Sequence, residues 1–377
     1  MIVAAVALLS LALAPKNGPT TVPTRPLPQP TASPGHPGAA ITPATLRNNP
    51  LFNVISDVTL STPVTGMLYA DGALYAWSSV GNQVAGVVSR IDLATARVTA
   101  TAPLQGIAGA FAGGLLWLTA TSQNAADGAL RVVALDPTSL AVVHNLAVPA
   151  MRPDGGIDHG SIAAAGGLIW VAATSGLYGI NPSTASIVRR TPTPSPPPEN
   201  GYHFGPGDYQ IDIAAPSDGT ALWTAETPGG GGYAALQVRD PRTGAVTYAS
   251  NNSLLSAGGV QIAAADPYAW IATTGGHCGS YLQIEDKTGL PPFPPQAGLV
   301  TCSSQLALAG NTLWAYDLQT HRIACTGATT GAVLAKSNLP VDDITALPDS
   351  QIAMSSYNNA SSTATVAIAV PEAHCSP

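Results

Sequence analysis

The residues of this chain suited to acid–base or metal chemistry are Asp154, Asp158, His159, Glu199, His203, Asp208, Glu226 and His277. They fall in polar stretches rich in Gly or Pro: DGGIDHG at Asp154–Gly160, TPTPSPPPENGYHFGPGD at Thr191–Asp208, ETPGGGG at Glu226–Gly232 and GGHCGS at Gly275–Ser280. A carboxylate near an imidazole can act as an acid–base pair, and several such groups together can hold a hard cation. No short spacing motif joins these eight residues, so only the fold can bring them together, and no catalytic residue is assigned among them. The plain alternative is a set of solvated loop residues. Tyr202 and Phe204 flank His203, and aromatics in such an insertion either pack over a rim or contact a partner. Packing over the rim is the first expectation.

Only 9% of the residues are charged, 21 acidic against 14 basic, for a formal charge of −7. No run of Lys or Arg is longer than Arg189-Arg190. Nucleic-acid binding neutralises several phosphates, so that partner class is excluded. No cofactor motif is present.

The elements that must position these residues show themselves as a repeat. GGLIWVAAT at Gly166–Thr174 recurs as ALYAW at Ala73–Trp77, LLWLTA at Leu115–Ala120 and ALWTAE at Ala221–Glu226. It continues as YAWIATT at Tyr268–Thr274, TLWAY at Thr312–Tyr316 and a degraded QIAMSS at Gln351–Ser356. Aligned on the aromatic, the register residues are Tyr75, Trp117, Trp170, Trp223, Trp270, Trp314 and Ala353, in steps of 42, 53, 53, 47, 44 and 39 residues. Short strands with a fixed Trp at a period near 46 predict an all-β, seven-bladed β-propeller of four-stranded antiparallel blades over residues 51–377. The Trp is read as inter-blade core. Small residues in SIAAAG at Ser161–Gly166 and QIAAAD at Gln261–Asp266 suit inner strands crowded near an axis.

A second repeat marks the turn between third and fourth strands. It reads DLATARV at Asp92–Val98, DPTSLAV at Asp136–Val142, NPSTASI at Asn181–Ile187 and DPRTGAV at Asp240–Val246. Its Asp or Asn accepts local backbone N–H bonds, so these carboxylates are turn formers. The last repeat supplies three strands only. FNVISDVTLS at Phe52–Ser61 alternates like a strand and is expected to close the ring as the fourth. The prolines of PPFPP at Pro291–Pro295 are expected to spoil the outer strand of blade 5.

Residues 1–15 carry an apolar run ending in Ala12-Leu13-Ala14, which reads as a signal peptide or short signal anchor. Residues 16–48 form a Pro/Thr/Ser-rich linker outside the fold. This predicts a secreted, cell-surface or periplasmic protein, touching membrane only through an uncleaved N-terminal segment. Cys278, Cys302, Cys325 and Cys375 allow three pairings. Blade geometry favours Cys278–Cys302 on one face and Cys325–Cys375 on the other, and with no CxxC spacing a zinc site is not expected.

At its LWxxE-like strands and DPxTGxV turns, the chain resembles the broad superfamily of seven-bladed propellers. That group includes streptogramin B lyase-like, quinoprotein-dehydrogenase-like and surface-layer repeat proteins. LWTAE at Leu222–Glu226 is similar to one lyase-like repeat, a resemblance that implies a magnesium-assisted elimination with a histidine base. Here the Glu occurs once and no His lies in a matching strand motif, so no catalytic residue carries over. Two functions are therefore expected. The first is a non-enzymatic, monomeric binding or scaffold module whose loop-bearing top face meets an envelope protein, glycan or small molecule. The second is a metal-assisted lyase or hydrolase drawing on Asp158, His159, His203, Glu226 or His277.

Overall fold

The computed structural model describes residues 49–78, 86–120, 129–149, 160–173, 175–192, 209–228, 233–249, 254–255, 259–274, 281–286, 296–297, 304–317, 320–358 and 360–375. The strands pair into four-stranded antiparallel sheets that follow one another along the chain. Sheet 1 is Gly66–Ala70, Ala73–Trp77, Val88–Asp92 and Arg97–Ala102. Sheet 2 is Gly106–Ala112, Leu115–Ala120, Ala129–Leu135 and Val142–Pro149. Sheet 3 is Ile162–Ala165, Leu168–Ala173, Gly176–Asn181 and Ser186–Pro192. Sheet 4 is Tyr209–Ala214, Leu222–Pro228, Tyr233–Arg239 and Val246–Ala249, with Leu254–Leu255 also pairing to its third strand.

Sheet 5 is Gly259–Ala265, Tyr268–Thr274, Tyr281–Asp286 and Gln296–Ala297. Its outer strand has two residues, as the neighbouring prolines led one to expect. Sheet 6 is Ser304–Ala309, Thr312–Asp317, Arg322–Gly327 and Val333–Asn338. Sheet 7 is Asp343–Ala346, Ile352–Asn358, Thr363–Pro371 and, as its fourth strand, Phe52–Leu60. That last strand pairs from Phe52 with Pro371 to Leu60 with Ala364, so the edge of sheet 7 is covered by the expected N-terminal segment. The first strand of each sheet touches the first strand of the next, and Asp343–Ala346 touches Gly66–Ala70. The first strands therefore form a closed circuit about one axis, the arrangement of a β-propeller.

The register aromatics sit between the sheets. Tyr75 packs with Leu116 and Leu118 of sheet 2, Trp117 with Ile169 and Val171 of sheet 3, and Trp170 with Ile213 and Leu222 of sheet 4. Trp223 meets Ala269 and Ile271, Trp270 meets Leu313, and Trp314 meets Ile352 and Met354. All six rings are fully buried, and truncating such a ring to Ala typically costs about 3–5 kcal/mol. Ala353 holds the position in sheet 7, where Met67, Leu74 and Ile91 fill the gap to sheet 1.

The turns behave as their sequences require. Asp92, Asp136 and Asp240 accept the backbone N–H of Thr95, Ser139 and Thr243 at 2.8, 2.7 and 2.8 Å. Asn181 does the same for Ser183 at 2.8 Å. The outer strands of sheets 1, 2, 3, 4, 6 and 7 each carry a register shift. An irregularity of this kind twists an exposed edge away from pairing with another chain.

Candidate functional site

Strand register lines up one position on every first strand, or in sheet 3 immediately before it: two residues before the partner of the register aromatic. Those residues are Gly66, Ala108, Ser161, Asp212, Gln261, Gln305 and Asp343, from sheet 1 to sheet 7. Sheets 3 to 7 thus contribute an unbroken polar arc, and sheets 1 and 2 contribute small residues. The indole of Trp77 explains the change. A Cβ on Gly66, Gly106 or Gly109 would stand 2.4, 2.7 or 2.8 Å from that ring, so only glycine admits it there. The Trp77 Nε1 donates to the Ile107 carbonyl at 3.3 Å. Arc and indole border a cavity of about 600 Å³ between the first strands, which Gln261, Gln305, Asp343 and Trp77 all line.

Within the arc, Asp212 is a fully engaged clamp. The Ser161 hydroxyl donates to its Oδ1 at 2.5 Å, its own sheet's Ile213 N–H to Oδ1 at 2.9 Å, and Ile262 N–H of sheet 5 to Oδ2 at 2.9 Å. One carboxylate so ties sheets 3, 4 and 5. Burial pushes its carboxyl up to about 6, against the lowering effect of those hydrogen bonds.

Asp343 holds the same position at the junction of sheets 7 and 1, with the N–H groups of Ile344 and Met67 against its carboxyl. It is 7% exposed, and burial pushes it up to about 8. Its Oδ2 and the Gln305 Oε1 on the preceding sheet are shielded from water and make no hydrogen bond. The neighbouring Asp342 is also pushed up, to about 6, by burial. It accepts the Tyr357 N–H at 2.5 Å.

A second depression, of about 750 Å³, lies among the turns of the opposite face and includes Gly166, Asp218, Asp240 and Arg242. Its carboxylates serve their own turns, Asp218 accepting from Thr220 at 3.1 Å and Asp240 from Thr243 at 2.8 Å.

Asp154, Asp158, His159, Glu199, Tyr202, His203, Phe204, Asp208 and His277 lie outside the described residues. Glu226 lies in the second strand of sheet 4, its backbone opposite Ile211 and Ala235. Among the described residues no three His, Cys, Asp or Glu side chains form a group able to hold a metal. Cys278 and Cys302 also lie outside the described residues. Cys325 and Cys375 are bonded, with Cα atoms 5.7 Å apart. Cys325 lies within the third strand of sheet 6, and Cys375 ends a short 3-10 helix, Ala373–Cys375, beyond the third strand of sheet 7.

The polar arc escapes a first reading of the sequence. Its members are scattered from residue 161 to 343 and are of three residue types, Ser, Asp and Gln, so only the strand register reveals them.

Among the described residues no helix is long and apolar enough to cross a membrane. No family model matches the chain, and no curated protein matches it. Several solved structures resemble it. The Cps50 (Swd1) β-propeller domain of Myceliophteria thermophila is 14% identical, with a TM-score of 0.58 over 83% of this chain and 98% of that one. BamB from Moraxella catarrhalis is 14% identical, with a TM-score of 0.52 over 84% and 97%. Kuenenia stuttgartiensis hydrazine synthase is 16% identical, with a TM-score of 0.55 over 86% and 97%. At such identities the likeness is one of fold: the chain is an all-β propeller of four-stranded antiparallel blades.

Proposed function

We propose that the chain is a seven-bladed propeller, exported or held at the cell surface, that binds a ligand or partner without transforming it. In this reading residues 1–15 direct export, residues 16–48 are a spacer, and the propeller works as a monomer. The blade count is supported by the circuit of first strands, which returns from Asp343–Ala346 to Gly66–Ala70. Export is supported by the Cys325–Cys375 bridge, because such bonds persist in oxidising compartments.

The observation that carries the binding role is the polar arc beside the channel cavity. It sits toward the end of the first strands where the chain enters each sheet, on the side of the long top-face connections. Most turns from first to second strand on the other face have two residues, such as Gly113-Gly114 and Gly166-Gly167. The longest connections enter the sheets, among them the 12 residues 150–161 and the 16 residues 193–208. Length concentrated on one rim of a rigid scaffold is the usual arrangement of a binding face. The structural neighbours include a protein named as a synthase, so the fold alone does not decide between binding and catalysis.

The test is co-sedimentation of the purified, oxidised propeller with cell-envelope material of its natural host. Binding should be lost on replacing residues 193–206 by a short Gly/Ser connection. It should survive exchange of the opposite-face turn residues 241–243. Equal retention by both variants, or no retention of the parent chain, would refute a top-face binding role in the envelope.

A further inference from the structure

We propose that the channel cavity binds a small organic ammonium ion, held by the Asp343 carboxylate and the Gln305 side-chain carbonyl beside the Trp77 indole. This rests on the reading of the chain as a binding propeller and names the chemistry of its ligand.

The molecule contains its own control. Asp212 and Asp343 occupy one register position on sheets 4 and 7. Around Asp212 both carboxylate oxygens are occupied, by Ser161 of the preceding sheet, by Ile213 and by Ile262 of the following sheet. That is what the position looks like when its work is structural. At Asp343 the preceding sheet offers Gln305 in place of Ser161, and two acceptor atoms, Asp343 Oδ2 and Gln305 Oε1, are left without a donor. Buried acceptors of this kind are rare in folded proteins, and each one calls for a partner. Both residues line the same cavity.

A ligand suited to this place must bring donors, and three observations favour a charged nitrogen over a neutral hydroxyl. The described lining residues include no Lys, Arg or His, so none of them gives the carboxylate a cation. The next sheet replaces its arc residue by Gly66 and lays the Trp77 ring over it, supplying the π face that attracts ammonium groups. An ammonium neighbour would also draw down the Asp343 carboxyl, which burial chiefly, with the charge of Asp342 beside it, pushes up to about 8. A metal ion fits less well. A hard cation takes about six or more oxygen ligands, whereas the arc here has one free carboxylate oxygen and the amides of Gln261 and Gln305. The remaining lining is largely Ala and Leu, including Ala263, Ala307 and Leu308. It accommodates a short apolar body behind the charged head.

The experiment is calorimetric titration of the full, oxidised chain with butylammonium chloride, 1-butanol and glucose, with tryptophan emission followed in parallel. Butylammonium should bind and perturb the emission, and 1-butanol should bind at least ~10-fold more weakly, since a charge-assisted hydrogen bond is lost. Asp343→Asn should weaken butylammonium at least ~10-fold and leave 1-butanol unchanged. Should that variant fail to fold, Gln305→Glu is the second probe, because an added carboxylate at the same place should tighten butylammonium. Equal affinity for butylammonium and 1-butanol, or an unchanged affinity in Asp343→Asn, would overturn the assignment. Binding of glucose alone would also overturn it, yet leave the binding-propeller reading standing. If Asp343 is merely held by Gln305, as Asp212 is by Ser161, no probe binds and the inference fails. The envelope test is independent of that result.

Discussion

The indole Nε1 of Trp170 donates a 2.8 Å hydrogen bond to the backbone carbonyl of Pro241, across the gap between sheets 3 and 4. The bond belongs to a repeating device. Tyr75 reaches the Pro137 carbonyl of sheet 2 at 3.0 Å, and Trp270 reaches the Ala328 carbonyl of sheet 6 at 3.2 Å. Each acceptor is the second residue of a third-to-fourth turn or its equivalent. At these three positions the two sequence repeats are halves of one lateral joint, with the aromatic on one sheet and the turn on the next. Three register tryptophans depart from the series: Trp117 donates within its own sheet, to the Ala112 carbonyl at 3.2 Å, and the Nε1 atoms of Trp223 and Trp314 are buried without a partner. At Trp314 the reason is topological. Sheet 7 takes its fourth strand from Phe52–Leu60, so it has no third-to-fourth turn to offer. Phe52 packs edge-on to Trp314 there instead, with ring centroids 6.3 Å apart.

This contrast sets the first prediction. Trp170→Phe removes a donor and orphans the Pro241 carbonyl, whereas Trp314→Phe removes a donor that pairs with nothing. Urea unfolding should show Trp170→Phe costing about 1–2 kcal/mol more than Trp314→Phe. Equal losses would mean that the joint is made by packing alone.

The second concerns closure. Deleting residues 51–61 removes the strand paired with Thr363–Pro371, and with it the buried side chains of Phe52, Val58 and Leu60 that pack against Val366, Ala367 and Ile368. Melting temperature should fall sharply, while deletion of residues 16–48 should leave it nearly unchanged. Similar melting for the two deletions would contradict this account of the seam.

Third, the Cys325–Cys375 bridge fastens the C-terminal 3-10 helix to sheet 6, where the Thr312 hydroxyl also donates to the Cys375 carbonyl at 2.6 Å. Its loss by Cys375→Ser should lower stability by about 2–4 kcal/mol. Peptide mapping of oxidised protein should recover Cys325 joined to Cys375. Recovery of Cys302 joined to Cys325 would be incompatible with the geometry.

The fourth prediction is a pH dependence. Asp212 and Asp342 are pushed up to about 6 and Asp343 to about 8, each from 3.8 and each chiefly by burial. The folded chain keeps these protons at pH values where the unfolded chain has released them. Their contribution is therefore fully present below about pH 4 and is lost as pH rises, through about 6 for the first two and about 8 for Asp343. The exposed turn residues Asp92, Asp136 and Asp240 act in the opposite sense. Hydrogen bonds from Thr95, Ser139 and Thr243 hold their carboxyl groups below 3.8, so their contribution is lost only on acidification. Asp343→Asn should flatten the decline in urea midpoint between about pH 6 and 8. An unchanged slope would assign the decline to other groups.

Much of the scaffold was legible before any coordinates. The spacing of Tyr75 to Trp314 and the strand-like Phe52–Ser61 led to sheets, turns and seam, because apolar periodicity and turn chemistry are written in residue types. The lateral joints were not legible, since their acceptors are backbone carbonyls, which any residue supplies. The arc was hidden for a related reason: Ser161, Asp212, Gln261, Gln305 and Asp343 follow no single residue type, and their kinship is one of register. Trp77 looked like one more strand residue until Gly66, Gly106 and Gly109 proved to surround its ring.

The pairing of Phe52 with Pro371 also has a consequence for biogenesis. The two partners are separated by about 320 residues, so the early strand must wait unpaired while the rest of the chain is synthesised. At typical elongation rates of roughly 5–20 residues per second, that delay is on the order of 15–60 s. During it, every other sheet has its strands within one local stretch of chain, and only the last must recruit a distant segment. The nascent protein therefore spends most of its assembly as an open crescent with one sticky flank. A chaperone or translocation machine that shields residues 52–60 for that interval would keep the open edge from pairing with other chains.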